Sequence, residues 1–361
     1  MPQLETKICC VIPSLKIGGM ERVMTELVNN FVKRKNVEVH LFLYGKHRET
    51  NYSIDFKIVT HKPCFKFKDS YRTISTVQTI IWLRKEIKKI DPTVILSFGE
   101  YWNNLVLLSL FGLSYSIFIS DRSKPDLKLG VIHDFLRKHL YKRTKGIICQ
   151  TESAKRITLQ RYAYKNVTVI GNPIREIKNH ENIERENIIL TVGRIIKTKN
   201  IDRLITVFHK LNMPSWKLVI IGEDSNKQRN LCKLKEQVKV LNLEKNVFFE
   251  GYTNNIDACY LRSKIFAFMS DSEGFPNVIG EALSAGLPVV AYDCAAGPRD
   301  MINDGENGFL VPLYDEVVFF EKLNYLISFE KARESMGLNA KQSLSKFDAD
   351  LICEKFYKFI T

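Results

Sequence analysis

Short uninterrupted apolar runs alternate along this chain with stretches whose apolar positions recur every three to four residues. Runs such as Ile8-Cys9-Cys10-Val11-Ile12 and Ile265-Phe266-Ala267-Phe268-Met269 lack polar alternation, as strands of a parallel sheet buried on both faces require. The pattern predicts strands near residues 7–12, 38–43, 94–97, 115–120, 146–150 and 168–170, with helices in most intervals. A polar, amide-rich stretch over residues 173–186 reads as a linker. The alternation then restarts, with strands near 188–192, 217–221, 247–249, 265–269 and 288–291 and an edge strand at 308–311. Such strand–helix alternation predicts the α/β class, with two facing doubly wound parallel sheets. The expected domains are residues 1–172 and 187–345. From residue 319 the pattern is helical, and a terminal helix over 346–361 is of the kind that crosses back to the first domain.

A chain of 361 residues is long enough to bury two cores. Its eight cysteines form no CxxC pair and no zinc spacing, so they read as reduced core residues of a cytosolic protein. Residues 1–7 are polar, and Ile8-Cys9-Cys10-Val11-Ile12 is too short for the apolar core of a signal peptide. The stretch 105–120 is broken by Gly112 and several serines and falls short of the ~20 residues a membrane span needs. It reads as a buried helix followed by a buried strand.

Charge changes the picture more. Residues 1–172 hold 29 Lys and Arg against 14 Asp and Glu, so the whole net charge of +14 resides there and the remainder is nearly neutral. A nucleic acid, an anionic membrane or a phosphate-bearing substrate would each match this excess. No nucleic-acid-binding signature accompanies it, which favours the membrane and argues against nucleic acid. Residues 62–72 and 135–145 interleave cations with aromatic rings, a pattern suited to an anionic interface and also to an ordinary solvated surface.

Candidate chemistry gathers in the second half. Ser272-Glu273-Gly274-Phe275-Pro276-Asn277-Val278-Ile279-Gly280-Glu281 places two carboxylates eight residues apart. Pro276 fits the first turn of a helix, which predicts a helix over 278–285. Glu273 then lies in the loop before that helix and Glu281 more than one turn in. Two solvated glutamates on a capped helix would give the same spacing. The strands on either side put the motif at a strand's carboxyl end, where open parallel sheets bind ligands. Arg194 and Lys199 follow the first strand of the same half, and together they can neutralise a diphosphate. Near the amino terminus, Gly18-Gly19 joins the first strand to the first helix. That loop permits close approach of a phosphate and equally serves as a tight turn.

These residues together resemble the retaining family-4 glycosyltransferases with the two-domain GT-B fold. The similarity runs from Gly18-Gly19 through Val169-Ile170-Gly171-Asn172-Pro173 and Gly193-Arg194 with Lys199 to Glu273-Gly274-Phe275-Pro276-Asn277 and Glu281-Ala282. It ends with Asp293-Cys294 and Gly297-Pro298-Arg299. The resemblance implies that Gly19 packs against donor phosphates while Arg194 and Lys199 hold the diphosphate. It implies that Glu273 contacts the donor sugar, helped by the backbone of Gly274, Phe275 and Pro276, that Glu281 binds the ribose, and that the loop around Tyr252 meets the base. Many relatives carry a histidine or another polar residue where this chain reads Asp121-Arg122-Ser123. Asp121 is therefore the candidate to orient or deprotonate an acceptor hydroxyl, and Arg122 the candidate on the acceptor side; a helix cap with a surface arginine is the plainer alternative.

Members of the family include bacterial enzymes that add hexoses or N-acetylhexosamines to lipid-linked surface glycans. The resemblance thus implies a UDP-sugar donor as co-substrate, a lipid-linked saccharide acceptor, and same-face transfer without metal or cofactor. The first domain would bind the acceptor and face an anionic membrane, the second would bind the nucleotide sugar, and the protein would sit peripherally on the cytoplasmic face of the cell membrane. Two other readings fit parts of the pattern: a nucleotide-sugar epimerase or hydrolase on the same fold, and a non-enzymatic anionic-surface binding protein.

Overall fold

The computed structural model describes residues 6–16, 18–162, 164, 166–179, 181–224 and 229–361. It divides into two compact units: residues 1–173 with 349–361, and residues 174–348.

The first unit carries the strands β1 (Thr6–Ile12), β2 (Val37–Leu43), β3 (Val59–His61), β4 (Val94–Phe98), β5 (Ser116–Ser120), β6 (Gly146–Cys149) and β7 (Val167–Val169). All pair in parallel, in the order β3-β2-β1-β4-β5-β6-β7. Its helices are α1 (Gly19–Phe31), α2 (Arg72–Ile90), α3 (Glu100–Ser109), α4 (Val131–Leu140) and α5 (Glu152–Tyr162). The second unit carries β8 (Ile188–Val192), β9 (Lys217–Ile221), β10 (Val247–Gly251), β11 (Ile265–Phe268), β12 (Val289–Tyr292) and β13 (Gly308–Val311), ordered β10-β9-β8-β11-β12-β13 and again parallel. Its helices are α6 (Ile201–Leu211), α7 (Asn230–Val240), α8 (Ile256–Arg262), α9 (Asn277–Ser284), α10 (Pro298–Met301), α11 (Glu316–Ser328) and α12 (Glu330–Gln342). The last helix, α13 (Ala349–Ile360), belongs to the first unit.

Both sheets begin at the centre, wind to one edge, then restart on the other side. Each therefore has a switch point, between β1 and β4 in one unit and between β8 and β11 in the other, where loops diverge and a crevice opens. The buried strand runs supply the cores, as the pattern requires: Ile8 to Ile12 and Ile265 to Phe268 are almost wholly inaccessible. Helices add their apolar stripes, for example Ile201, Leu204, Ile205 and Phe208 of α6. In the first unit α13 inserts Ile352, Cys353, Phe356 and Ile360 beside α1. Polar contacts support it there, with Asn30 donating to Asp350 at 3.0 Å and Arg34 to Glu354 at 2.6 Å.

The structure differs from the sequence expectations at several points of the fold. β3 was not anticipated, because its three residues are largely exposed at a sheet edge and lack an apolar run. The stretch expected to be a linker has no regular structure at its described positions, yet Ile174 and Ile177 are buried in the core of the second unit. Finally, Cys64 and Cys232 are exposed, whereas the other six cysteines are buried. Burial pushes the thiols of Cys10 and Cys353 up to about 12 and that of Cys149 up to about 11, so they behave as small apolar groups.

Candidate functional site

In the second unit, the loops leaving the two central strands meet. Lys199 follows β8 and Glu273 follows β11, and the Lys199 ammonium donates to Glu273 Oε1 at 2.5 Å. Their side chains are only 17% and 14% exposed. The ammonium also lies 5.1 Å from the centre of the Phe268 ring. This is the convergence expected at the switch point, made by a cation and a carboxylate that each carry chemistry suited to a sugar phosphate.

Residues that the sequence reading passed over hold the two loops together. Asn200 adopts a left-handed backbone with φ of 49°, and its amide donates to Met269 O at 2.9 Å and to Asp271 Oδ2 at 3.3 Å. The Asp271 N–H donates to Thr198 O at 3.0 Å, and the Tyr314 hydroxyl donates to Asp271 at 3.0 Å. Asn and Asp after an apolar strand were the available signal, since both residue types favour such loop bonds.

Close backbone approach completes the loop. Gly222, after β9, has φ of 145°, and a Cβ there would lie 1.9 Å from the Gly193 carbonyl oxygen. Arg194 is the next residue; it is exposed, and its side chain makes no hydrogen bond or ion pair among the described residues. A small pocket beside it is lined by Gly193, Lys199, Phe268 and Ser270. Tyr252 follows β10 and is 53% exposed.

Helix α9 begins at Asn277, one residue earlier than the pattern predicts, with Pro276 as its cap residue. Gly274 and Phe275 are buried, and the Phe275 ring meets Phe347 edge-on at 5.7 Å, so this side chain serves the core and leaves only its backbone for a ligand. Gly297 is tied to the same turn: with φ of 101°, it packs where a Cβ would stand 2.1 Å from Pro276 Cδ. Asp293 and Arg299 pair with each other. Glu281, on α9, accepts from the Tyr260 hydroxyl at 2.9 Å and lies 3.8 Å from Arg175 Nε. Arg175 itself donates to Asp257 at 2.6 Å. Arg175 comes from the expected linker, which runs along α9: Ser284 Oγ donates to Arg175 O at 3.0 Å and accepts from the Ile177 N–H at 2.8 Å.

In the first unit, Gly18 precedes α1 and Gly19 opens it, at the carboxyl end of β1. Gly18 has an extended backbone, with φ of −179°, and its N–H and carbonyl both bond to the Tyr52 hydroxyl, at 3.0 and 2.9 Å. Asp121 follows β5 and accepts from Arg137 at 2.6 Å, Tyr141 at 2.6 Å and Asn103 at 3.0 Å. Three donors, one of them a guanidinium, occupy its two oxygens and tie the loop after β5 to α3, α4 and the turn beyond. Arg122 stacks 3.6 Å above Phe98 and donates to Asn172 at 2.7 Å; burial pulls its guanidinium down to about 9. Glu100, missed in the sequence, lies after β4 at this unit's switch point. It accepts from the Arg122 and Ser123 N–H groups at 2.8 and 2.5 Å. Its signal was the Gly99-Glu100 pair directly after an apolar strand.

With this geometry in place, the comparisons with known proteins are specific. The family model for Glycosyltransferase Family 4 matches residues 17–176, and that for Glycosyl transferases group 1 matches residues 173–343. The chain belongs to the family-4 glycosyltransferases. This glycosyltransferase is 27% identical over 94% of its length to the amylovoran biosynthesis glycosyltransferase AmsD of Erwinia amylovora, of which it covers 95%. It is 29% identical over 98% of its length, and 98% of the relative, to the GalNAc-alpha-(1->4)-GalNAc-alpha-(1->3)-diNAcBac-PP-undecaprenol alpha-1,4-N-acetyl-D-galactosaminyltransferase of Campylobacter jejuni. The fold of this glycosyltransferase is GT-B. The crystal structure of HepE from Anabaena in complex with UDP and glucose superimposes with a TM-score of 0.82 at 17% identity, covering 98% of each chain. That of S. aureus TarM, a variant in complex with fondaparinux, alpha-GlcNAc-glycerol and UDP, gives 0.78 at 17% identity over 98% of this chain and 99% of the other.

Proposed function

We propose that this glycosyltransferase moves a hexose or N-acetylhexosamine from a UDP-sugar to a lipid-linked saccharide, with retention and without a metal ion, at the cytoplasmic face of a bacterial membrane. The observation that carries the donor half of the reading is the Lys199–Glu273 pair at the β8/β11 switch point. As the bond between the anomeric carbon and the diphosphate oxygen breaks, negative charge grows on the leaving UDP. Lys199 and Arg194 are placed to neutralise it, the role a metal has elsewhere. Glu273 accepts hydrogen bonds from the sugar hydroxyls, and the amides at the start of α9 face the phosphates. Glu281, held by Tyr260 and Arg175, takes the ribose hydroxyls. Tyr252 lies on the loop that meets the base.

On the acceptor side, Asp121 and Arg122 shape the loop after β5, and the attacking hydroxyl loses its proton to the departing phosphate on the same face of the sugar. Support for the donor comes from the UDP and glucose in the HepE neighbour, and support for the acceptor from the undecaprenol-linked substrate in the name of the C. jejuni relative. The test is product analysis with a UDP-sugar and a lipid-linked acceptor. The reading predicts an α-linked product from an α-linked donor in the presence of EDTA. A β-linked product, or activity lost with EDTA and restored by a divalent ion, would overturn the retaining or the metal-independent part respectively.

A further inference from the structure

Within the first unit the two faces of the sheet are covered very differently. Helices α1 and α13 cover one face, and α13 leaves a single large apolar residue, Leu351, substantially exposed. Helices α2, α3 and α4 lie side by side over the other, packed on Cys9, Val11, Ile95 and Ile117. Their outward surface is apolar. On α2 the small polar Ser75 and Thr79 face inward with Leu83, while Ile74, Val77 and Ile81 point to solvent on the opposite side of the helix. On α4, Val131, Ile132 and Phe135 are 88, 73 and 62% exposed. Phe111, just beyond α3, is also exposed, under the Arg143 guanidinium at 4.4 Å.

Apolar exposure on this scale is unusual for a free surface and marks a docking face. Its charge selects the partner. The exposed charged residues of α2 and α4 are all basic (Arg72, Lys85, Lys88, Lys89 and Lys138), and Lys142 and Arg143 follow directly. Of the two aromatic–cationic segments noted in the sequence, 135–145 contributes Phe135 to this face, whereas Phe65 and Phe67 of 62–72 are half-buried. Among the described residues no helix is long and apolar enough to cross a membrane. A protein partner would need a matching acidic, apolar surface. An anionic bilayer offers both features everywhere, phosphates for the lysines and an acyl boundary for the isoleucines and phenylalanine.

We infer that the α2–α3–α4 layer docks on an anionic phospholipid surface, with Ile132 and Phe135 entering the headgroup boundary and the lysines of α2 lying against the phosphates. This deepens the proposed function by naming the surface that faces the acceptor's membrane, but it does not depend on the identity of the donor.

The experiment is flotation of the full chain with vesicles of phosphatidylcholine alone or mixed 7:3 with phosphatidylglycerol. Wild type is expected to float with the mixed vesicles at 50 mM NaCl and at least tenfold less with neutral ones. Ile132→Ser with Phe135→Ser is expected to lose about tenfold. Lys85→Glu with Lys88→Glu is expected to lose at least about fivefold per lysine, while Leu351→Ser on the opposite layer should bind as wild type. Melting temperatures show that each variant is folded, and UDP titration shows that the donor site is intact. Failure of UDP binding in every variant and wild type would sink the donor reading and leave the membrane result standing. Equal flotation with neutral and anionic vesicles, or wild-type binding by both layer variants, would overturn the inference. So would a dimer in sedimentation that Ile132→Ser with Phe135→Ser dissolves, because the face would then be a self-association surface.

Discussion

Replacing Glu273 by Gln separates two roles that the Lys199–Glu273 pair combines. In the resting site the carboxylate and ammonium are 2.5 Å apart and mostly shielded from water. A hydrogen bond between ionised partners contributes ~1.5–3 kcal/mol net, and the lower value suits a pair that water still reaches. Before Lys199 can hold a diphosphate, part of that interaction must be given up. Glutamine keeps the shape and one acceptor but cancels the charge, so Lys199 is released. UDP alone should then bind up to about tenfold more tightly, since ~1.4 kcal/mol corresponds to a factor of ten. Transfer should move the other way. A neutral amide accepts more weakly from sugar hydroxyls than a carboxylate does, and kcat/KM should fall by about 10–100-fold. Calorimetric titration of UDP and a coupled UDP-release assay measure the two effects. Weaker UDP binding together with transfer within twofold of wild type would refute the assignment of phosphate to Lys199 and sugar to Glu273.

Three further outcomes follow from the geometry. Gly222→Ala forces a Cβ against the Gly193 carbonyl at a backbone angle that other residues avoid. Strain and overpacking of ~2–5 kcal/mol together should lower the melting temperature by ~5–15 °C. Arg194→Ala removes an exposed side chain, so calorimetry should show an unchanged melting temperature while kcat falls by ~10–100-fold as the leaving diphosphate loses a counter-charge. Burial, and then the Asp121 charge, raises the Glu100 carboxyl above the ordinary range. Its ionised form is thus penalised in the folded chain, and the fold loses stability as pH rises from below the usual glutamate value through the raised one. Glu100→Gln keeps an acceptor for the two N–H groups without the charge, so the melting temperature of the variant relative to wild type should increase from pH 4 to pH 7. A difference that stays flat or declines over this range would contradict the assignment.

Much of the fold was legible because parallel strands buried on both faces leave continuous apolar runs, which is how β1 and β11 announce themselves. β3 was invisible for the converse reason: an exposed three-residue edge needs no such run. The Lys199 and Glu273 loops could be read from position, since each follows a central strand. Their latches could not. Asn200, Asp271 and Tyr314 act through bonds across 43 to 73 residues of sequence, and no local pattern reports that. The expected linker shows a similar limit. Its polar composition suggested a linker, whereas Ile174 packing on Gly280 and Arg175 reaching Glu281 are long-range contacts that composition does not report. Asp121 stood out as a polar residue at a strand end, while the donors that occupy it come from α3, α4 and the turn after α4.

The central claim is that the second unit's switch-point site turns over a nucleotide sugar for transfer to a lipid-linked acceptor. A panel of radiolabelled UDP-, GDP- and ADP-sugars incubated with lipid extract tests it most directly, scored by label entering the organic phase, with Glu281→Ala as the paired variant. The account predicts label transfer from a UDP-hexose or UDP-N-acetylhexosamine, reduced at least about tenfold in Glu281→Ala under conditions where circular dichroism shows the variant folded. Release of UDP with no labelled lipid in any extract, or equal transfer by wild type and Glu281→Ala at limiting donor, would contradict it.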